Sequence, residues 1–399
     1  MYNETAHALG AQRSCIRELF EYGRQRAAIV GEENVLDFSL GNPSMPTPQA
    51  VTDAIRDIVA ETDPVMLHGY TSAIGDFECR KAIADDLNDR FDAGAQPEDL
   101  FITCGAAPAL TAVFKALATP NAEILAIAPY FPEYKPFVES AGCKFRVVPT
   151  SNSKLKINVL FLEQYITPDT AAIIINNPNN PTGMVTKEKI LAPLAKMLQR
   201  KSEEYGHPIY IISDEPYREL CYGEAEFVWL PRLYPNTIVC YSYSKSLSLP
   251  GERIGYVYVP ENATDSRDLY TAIAGAARSL GHVCAPSLWQ KVIARCAKVR
   301  PDLEAYDKNR KKLFFTLAVM GYELARPEGA FYIFVKIPGG RGNEFLEKAK
   351  ERDLLLVPGD DFGCPGYFRM CYCVEYEKVC KAIPILGELY RDAVSDVRI

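Results

Sequence analysis

A lysine next to hydroxyl side chains is the residue of this sequence best suited to covalent chemistry. Lys245 follows an apolar run at residues 237–241 and the hydroxyl residues Ser242 and Ser244, and Arg253 stands eight residues further on. A lysine at the end of a buried strand is costly unless it is neutral, paired or covalently bound. The pattern fits a Schiff-base lysine with an arginine held nearby for an anion. It also fits a surface turn that carries two ordinary cations.

Two further segments place small or polar residues directly after apolar runs. Gly105, Ala106 and Ala107 open a predicted helix. The free N–H groups of a helix N-terminus bind anions, and small side chains let a phosphate approach them. Asn180 lies in an asparagine- and proline-rich segment after a run of isoleucines, where its amide can bond an oxygen held at the strand ends. A tight strand–helix turn and a plain asparagine–proline turn are the purely structural interpretations.

A carboxylate and a phenol follow another apolar run. Asp214 comes after residues 209–212 and Ser213, and Tyr217 stands three residues beyond it. A carboxylate in that position is rarely fully buried unless a cation or a strong donor pairs with it. The phenol can present its hydroxyl to the same crevice. The alternative is an aspartate that only caps the next helix.

These candidate groups match the functional groups of one cofactor. A lysine suits imine formation with an aldehyde, and a carboxylate suits a cationic ring nitrogen. An amide and a phenol suit a phenolic oxygen, and the anion cradle suits a phosphate. Pyridoxal 5′-phosphate carries all of these groups, so the sequence predicts a pyridoxal-phosphate enzyme.

Short apolar runs separated by helical segments must position these residues. The predicted strands are residues 100–103, 124–128, 145–148, 172–176, 209–213, 238–241 and 254–259. The predicted helices are residues 49–60, with Thr47 as a possible N-cap, 76–91, 106–118, 133–141 and 187–205. This α/β alternation predicts a seven-stranded, mostly parallel sheet with helices on both faces. Such sheets bind ligands outside the carboxyl ends of their strands.

The pattern changes beyond about residue 262, where long helical stretches and a few strands predict a smaller α+β domain. We expect residues 1–40 to form an N-terminal helical arm and part of the small domain. We expect residues 41–285 to form the large cofactor-binding domain, and residues 286–399 to form the small C-terminal domain.

The composition narrows the partners and the compartment. The net charge is −7, whereas nucleic acids and anionic membranes require a basic face. No apolar run is long enough to span a membrane, and no secretory signal is apparent. The twelve cysteines lack a Cys-x-x-Cys pair and the four histidines are scattered, so no metal site is expected. We expect reduced thiols in a cytoplasmic protein.

Four ordered segments resemble the signatures of a known family. They are Asn180-Pro181-Thr182-Gly183, Asp214-Glu215-Pro216-Tyr217, Ser242-Tyr243-Ser244-Lys245 and Arg253-Ile254-Gly255-Tyr256. Together they look like the motifs of class I/II aminotransferases, pyridoxal-phosphate enzymes of fold type I in the aspartate aminotransferase superfamily. The resemblance covers the chain from Gly41 to Arg369.

The resemblance implies a role for each matching residue around the cofactor. Lys245 is the lysine that binds the cofactor covalently and later moves a proton between the substrate Cα and C4′. Asp214 pairs with the ring nitrogen, while Asn180 and Tyr217 bond the ring oxygen and Tyr130 stacks on the ring. The implied phosphate ligands are Gly105, Ala106, Ala107, Ser242 and Arg253, together with Tyr70 from the neighbouring subunit of a homodimer. The turn at Gly105 lacks the hydroxyl residue common in the family, so more of the phosphate binding is expected from backbone donors, Ser242 and Arg253.

The resemblance also implies how the substrate binds and what reaction follows. Arg369 matches the arginine that clamps the substrate α-carboxylate, assisted by Asn180 and the backbone of Gly41. The implied reaction is ping-pong transfer of an amino group between an L-amino acid and a 2-oxo acid, with aspartate as the default donor. Two alternatives share the same motifs, a C–S lyase similar to cystathionine β-lyase and a cyclising enzyme similar to aminocyclopropane-carboxylate synthase.

Two further questions stay open at this point. A ligand-sensing regulator built on the same fold is disfavoured, because the segment before Gly41 is short for a DNA-binding domain and the chain is acidic. Arg278 could contact the distal group of a dicarboxylate, but an exposed helix arginine is the simpler interpretation.

Overall fold

The computed structural model describes residues 1–11, 15–151 and 154–395, which fold into a large lobe and a small lobe. The α-helices are α1 Glu4–Ala11, α2 Cys15–Val30, α3 Gln49–Glu61, α4 Pro64–His68, α5 Phe77–Phe91, α6 Ala106–Ala116, α7 Tyr134–Ala141, α8 Val159–Glu163, α9 Glu188–Tyr205, α10 Leu230–Leu233, α11 Tyr243–Ser246, α12 Ser266–Ser279, α13 Ser287–Cys296, α14 Glu304–Met320, α15 Gly342–Glu351 and α16 Tyr376–Ser395. The strands are β1 Leu36–Asp37, β2 Leu100–Thr103, β3 Glu123–Ile127, β4 Lys144–Val148, β5 Thr170–Asn176, β6 Tyr210–Asp214, β7 Thr237–Ser242, β8 Gly255–Tyr258, β9 Tyr332–Lys336, β10 Leu354–Leu355, β11 Val357–Pro358 and β12 Tyr367–Cys371.

The large lobe is organised by a seven-stranded sheet in the order β2-β8-β7-β6-β5-β3-β4. Strand β8 runs antiparallel to both of its neighbours, and the other neighbouring strands are parallel. The seven predicted strands all lie in this sheet, and the predicted α/β fold is confirmed. Parallel pairing brings the carboxyl ends of β5, β6 and β7 to one edge, where Asn176 faces Asp214 in the register.

Alternating residues of the central strands explain why this sheet is covered on both faces. In β5, Ala172 and Ile174 enter the core with α6 and α7, while Ile173 and Ile175 enter the opposite core with α9. Each fully buried isoleucine contributes about 1.5–3 kcal/mol from burial alone. A strand buried on both faces must be continuously apolar, and this property allowed β5 and β6 to be predicted from the sequence.

The helix that follows the first loop differs from expectation at its start. Helix α3 begins after Pro48, which provides no side-chain cap. The predicted N-cap at Thr47 is therefore wrong, because its hydroxyl donates instead to the carbonyl of Ser248 at 3.3 Å. Helix α5 does have a side-chain cap, since the carboxylate of Asp76 accepts from the amide of Cys79.

The small lobe contains the antiparallel sheet β11-β12-β9 and the helices α14, α15 and α16. The N-terminal segment adds to this lobe, because β1 pairs in parallel with β10 and Arg26 on α2 contacts Asp353 at 2.6 Å. Residues 12–14 of the predicted N-terminal arm lie outside the described residues. Within the parts of the chain that are described, no helix is long and apolar enough to cross a membrane.

The packing of helix α13 helps to define the boundary between the two lobes. Its apolar residues Val292, Ile293 and Cys296 share a core with residues of α3 and α5. Because this helix packs inside the large lobe, we propose a domain boundary after Ala297. The boundary expected from sequence lies earlier, at residue 285.

Candidate active site

The carboxyl ends of three parallel strands carry the first residues of the site. Strand β5 ends at Asn176, β6 ends at Asp214, and β7 leads through Ser242 into the short helix α11. Ligands of open α/β sheets bind at this edge. Lys245 lies on α11, so it follows the carboxyl end of β7, the parallel neighbour of the strand that ends at Asp214.

Lys245 is held by the loop that precedes α3. Its Nζ donates to the carbonyl of Gly41 at 2.7 Å and lies 5.6 Å from the centre of the Phe331 ring. Removal of the ammonium from water lowers the pKa of Lys245, and the cations Arg253 and Arg369 lower it further. A lysine with a lowered pKa is more readily deprotonated, and the free amine is the form that attacks a carbonyl.

Asp214 is buried with one oxygen satisfied and the other without a partner. Its Oδ2 accepts from the hydroxyl of Tyr134 at 2.5 Å and from Nδ2 of Asn176 at 3.3 Å. Its Oδ1 is buried and has no hydrogen-bond partner. Burial raises the pKa of Asp214 from 3.8 to about 7, and the bond from Tyr134 opposes that shift. An unpartnered buried carboxylate oxygen fits a cationic N–H group, as the ring nitrogen of pyridoxal phosphate provides.

The predicted phosphate cradle is formed by one helix start and one loop. Gly105 adopts φ +94° directly before α6, and a Cβ there would lie 2.8 Å from Nη2 of Arg253. The hydroxyls of Ser242 and Ser244 lie 2.8 Å apart, and Nη1 of Arg253 donates to Ser244 at 3.4 Å. Free helix N–H groups, two hydroxyls and an exposed guanidinium therefore converge, and this donor set suits a phosphate. Ser244 adds a hydroxyl near Arg253 that the turn at Gly105 lacks.

Arg369 lies fully buried in the small lobe and reaches across to the large lobe. Its Nη1 donates to Oδ1 of Asn180 at 3.0 Å, and its Nη2 donates to the carbonyl of Ser39. Its Nε has no partner although it is buried. The guanidinium packs between the rings of Tyr332 and Phe362, at 4.7 and 5.0 Å from their centres. An arginine fixed on two sides with an unused donor is prepared for a carboxylate.

Asn180 links Arg369 to Asp214 through Asn176. Its backbone N–H donates to Oδ1 of Asn176 at 2.7 Å, and the amide of Asn176 donates to the carbonyl of Asp214 at 2.9 Å. The chain of contacts therefore runs from Arg369 through two asparagines to Asp214. Tyr217 joins the same region, and its hydroxyl lies 2.8 Å from the hydroxyl of Tyr332.

The aromatic residues after β3 divide into two groups. The ring of Tyr130 packs edge-on against Phe145 at 5.3 Å, on the side of β4. The ring of Phe131 packs edge-on against Tyr134, the residue that bonds Asp214. The stacking role given to Tyr130 stays a prediction, and we propose Phe131 as a second candidate for that role.

Two residues named from sequence lie at the surface. Tyr70 is 96% exposed in the single chain, so its predicted contact with a neighbouring subunit is sterically open. Arg278 lies exposed on α12, which agrees with its interpretation as an ordinary helix arginine.

Several site residues escaped sequence reasoning. Tyr134 and Asn176 contact Asp214, Ser39 accepts from Arg369, and Tyr332 contacts Tyr217. Asn176 stands at the end of a predicted strand, so its position offered a usable signal. Ser39 and Tyr332 had none, because their partners are far away in the sequence.

Comparisons with known proteins agree with this geometry. A family model described as aminotransferase class I and II matches residues 33–385. An aspartate aminotransferase of Pyrococcus abyssi is 30% identical, covering 94% of this chain and 95% of the relative. An aromatic-amino-acid aminotransferase of Thermococcus litoralis is 29% identical, with coverage of 94% and 95%.

Solved structures give the same result. The crystal structure of an aminotransferase from Eubacterium rectale superposes with a TM-score of 0.96 at 49% identity, covering 98% of this chain and 99% of the other. An aspartate aminotransferase of Thermus thermophilus with maleate gives a TM-score of 0.85 at 26% identity, with coverage of 98% and 99%.

The fold and the site define a pyridoxal-phosphate enzyme of fold type I. The chain belongs to the class I and II aminotransferases, and the predicted family, cofactor and enzyme class are confirmed. The relatives are aminotransferases, and they favour amino-group transfer over the C–S lyase and cyclising alternatives.

Proposed function

We propose that the enzyme transfers an amino group between L-aspartate and a 2-oxo acid, with Lys245 as both the attachment point of the cofactor and the proton carrier. One observation carries this assignment of roles: the unpartnered buried Oδ1 of Asp214 lies at the end of β6, and a lysine whose pKa is lowered follows the end of the neighbouring parallel strand β7. Aspartate as donor is supported by the names of relatives that are 30% identical over most of the chain.

The residues divide the work of the reaction between them. Pyridoxal phosphate, when bound, supplies a ring that accepts the electron pair left when the Cα–H bond of the amino acid breaks. Asp214 holds the proton on the ring nitrogen, because an ionised carboxylate next to that N–H favours the cationic form. Asn180 and Tyr217 hold the ring oxygen, and Ser242, Ser244 and Arg253 hold the phosphate with the first amides of α6.

The substrate is held and deprotonated from the small-lobe side. Arg369 and the backbone of Gly41 bind the α-carboxylate, which fixes the Cα–H bond relative to the ring. Lys245, released as a free amine, takes the proton from Cα and returns it to C4′. Hydrolysis by one water would release the oxo acid and leave the amino group on the cofactor, and a second 2-oxo acid would then take the same sites in reverse order.

A substrate panel tests this proposal. L-aspartate, aromatic amino acids and other donors are each mixed with enzyme and 2-oxoglutarate, and the new oxo acid is quantified. We expect the highest kcat/KM for aspartate, and an aromatic preference would overturn the donor assignment. Cystathionine without an oxo acid serves as the control, since pyruvate and ammonia from it would indicate a lyase.

We further propose a homodimer in which Tyr70 reaches the phosphate site of the neighbouring subunit. The support is the exposed apolar surface around it, where Val65 and Met66 on α4 are 79% and 70% exposed and Tyr70 is 96% exposed. Contiguous exposed apolar residues of this kind mark interfaces.

Subunit mixing tests the dimer directly. A Lys245→Ala homodimer and a Tyr70→Ala homodimer are mixed and allowed to exchange subunits. If Tyr70 acts across the interface, each mixed dimer gains one intact site, and full exchange restores about a quarter of the sites. If Tyr70 acts within its own subunit, mixing restores nothing.

We also propose a cytoplasmic location. All twelve cysteines are free, including Cys371 and Cys373, whose Sγ atoms lie 3.0 Å apart. Thiols this close persist in a reducing compartment and tend to oxidise outside it. Fractionation of native cells followed by thiol counting tests the proposal, and recovery from an extracytoplasmic fraction would overturn it.

A further inference from the structure

One tyrosine of the small lobe contacts several residues with proposed roles in the reaction. Tyr332 begins β9, is 2% exposed and pairs with Cys371 of β12. Its hydroxyl lies 2.8 Å from the hydroxyl of Tyr217, and its ring faces the guanidinium of Arg369 at 4.7 Å. A Cβ on Gly41 would collide with the Tyr332 hydroxyl, so the phenol is packed directly on that backbone.

These contacts cross from one lobe to the other. Tyr217 follows β6 of the large lobe, whereas Tyr332 belongs to the sheet that carries Arg369. The carbonyl of Gly41, the third contact, accepts the bond from Lys245. Tyr332 therefore contacts three residues with proposed roles. They are Arg369, which binds the substrate carboxylate, Gly41, whose carbonyl holds Lys245, and Tyr217, which donates to the ring oxygen.

The number of protons on the two phenols bears on which hydroxyl donates in the bond between Tyr217 and Tyr332. Burial raises the pKa of both Tyr217 and Tyr332, so both hydroxyls keep their protons. Two neutral hydroxyls that share one hydrogen bond leave one proton for another acceptor. If Tyr217 donated to Tyr332, its proton would be unavailable to the cofactor. If Tyr332 donates, the Tyr217 proton is free to reach the ring oxygen.

We propose that Tyr332 is a positioning residue that donates its hydroxyl to Tyr217 and thereby directs the Tyr217 proton toward the ring oxygen of the cofactor, while its ring supports Arg369. The inference rests on the proposed roles of Tyr217 and Arg369. It assigns to the hydroxyl an effect on the cofactor and to the ring an effect on carboxylate binding, and these two effects are separable by substitution.

The hydroxyl is tested with Tyr332→Phe, which keeps the ring. The readout is the pH midpoint of the visible absorption change of the cofactor-loaded enzyme. A weaker donor leaves the ring oxygen more basic, so the midpoint moves to higher pH, by about 0.5–1 unit for one neutral hydrogen bond. Tyr217→Phe is expected to move it further in the same direction. In the double variant, Tyr332→Phe adds nothing beyond Tyr217→Phe, because its effect passes through that phenol.

The ring is tested with Tyr332→Leu. We expect the pH shift of Tyr332→Phe, and in addition a rise in KM for the amino acid of about 3–5-fold from the lost contact with Arg369. Tyr322→Phe is the matched control, since Tyr322 is another buried small-lobe tyrosine, with a hydroxyl that donates to the carbonyl of Leu386 at 2.8 Å. It should leave both the midpoint and KM unchanged.

The outcomes separate the inference from the roles on which it rests. If Tyr217→Phe shifts the midpoint but Tyr332→Phe does not, the positioning role is wrong and the role of Tyr217 stands. Full additivity of the two shifts also overturns the positioning role. If Tyr217→Phe itself leaves the midpoint unchanged, the proposed role of Tyr217 fails, and the inference fails with it.

Discussion

The two sides of the active site are built in different ways. The large-lobe side, at the ends of β5, β6 and β7, uses short-range contacts such as Ser242 with Ser244 and Asn180 with Asn176. The small-lobe side depends on contacts across most of the chain, such as Arg369 with Ser39. Short motifs at strand ends, brought together by the strand order of one sheet, therefore build the cofactor side, whereas packing of the two lobes builds the carboxylate side.

This difference has a chemical consequence. The cofactor side contains an unpartnered carboxylate oxygen on Asp214, which a bound cation would satisfy. The carboxylate side contains an arginine whose Nη1 and Nη2 each donate to one partner and whose Nε has none. We expect substitutions on the cofactor side to reduce kcat for every substrate. Substitutions on the carboxylate side should mainly raise KM.

The largest effect is expected at Lys245 itself. Lys245→Ala removes both the covalent attachment and the proton carrier, and proton transfer alone accounts for about 10²–10⁴-fold in rate. We expect cofactor to bind without becoming covalently attached, as measured by mass after borohydride reduction. Lys201→Ala is the control, because Lys201 pairs with Glu204 on α9 at 2.8 Å, away from the site. Covalent attachment that survived in Lys245→Ala would refute the assignment.

How much of the site was predictable follows from the same difference between its two sides. Lys245 and Asp214 were identified because each follows an apolar strand within its own motif. Tyr134 was missed although it follows β3, whose carboxyl end lies at the same edge of the sheet. Its partner Asp214 is 80 residues away, and only the strand order β6-β5-β3 brings them together.

On the small-lobe side, the positions of the residues in the sequence did not indicate that they belong to the site. Tyr332 starts a strand in another sheet, and its contact with Tyr217 depends on how the two lobes pack. Arg369 was identified only through the family resemblance, since an arginine inside an antiparallel strand has no intrinsic signature. The boundary proposed after Ala297 differs from the predicted one at residue 285 because the packing of α13 against α3 and α5 is a property of tertiary structure.

The second largest effect is expected at Asp214. Asp214→Asn removes the charge that holds the ring-nitrogen proton, and loss of one such preorganised contact costs about 10²–10³-fold in kcat. The loss should be similar for every amino donor, because the residue does not contact the substrate. A loss confined to one donor would contradict its place on the cofactor side.

The same carboxyl predicts a pH dependence of stability. In the cofactor-free protein its pKa is raised from 3.8 to about 7. Between these two pKa values the folded state binds a proton that the unfolded chain has released. The free energy of unfolding therefore falls as the pH rises from 3.8 to about 7. Pairing with a cationic ring nitrogen removes this penalty. The Tm gained on adding cofactor should therefore be larger at pH 8 than at pH 5.5, by about 2–5 °C.

Two variants control the pH prediction. Asp214→Asn keeps Lys245 but lacks the titrating carboxyl, so its Tm gain should not show this increment. Asp99→Asn removes another buried carboxyl whose pKa is raised by burial, at a point before β2, and should keep the increment. An increment that persisted in Asp214→Asn would assign the effect to another group.

A smaller effect, of a different kind, is expected at Arg369. Arg369→Lys keeps the charge but loses the planar fork that bonds Asn180 and a carboxylate together. Hydrogen bonds to charged groups contribute about 1.5–3 kcal/mol, so KM for both the amino acid and the oxo acid should rise about 10–100-fold. The pH midpoint of the cofactor absorption should change little. Arg310→Lys is the control, because Arg310 is another small-lobe arginine and pairs with Asp307 at 2.6 Å.

The smallest effect, at Tyr134, discriminates best between the two sides. Tyr134→Phe removes the donor to Oδ2 of Asp214 and leaves its ring in place. That bond lowers the pKa of Asp214, so without it the acidic limb of the kcat–pH profile should move to higher pH, with kcat near neutrality reduced about 2–10-fold. KM should stay constant, because the change lies on the cofactor side.

Tyr210→Phe is the control for this prediction. Tyr210 lies on the same strand as Asp214, its hydroxyl donates to the carbonyl of Thr264 at 3.0 Å, and its substitution should shift neither the pH profile nor KM. A rise in KM instead of a pH shift would mean that the two sides are not independent. In that case the chain of contacts through Asn176 and Asn180 would transmit the change from Asp214 to Arg369.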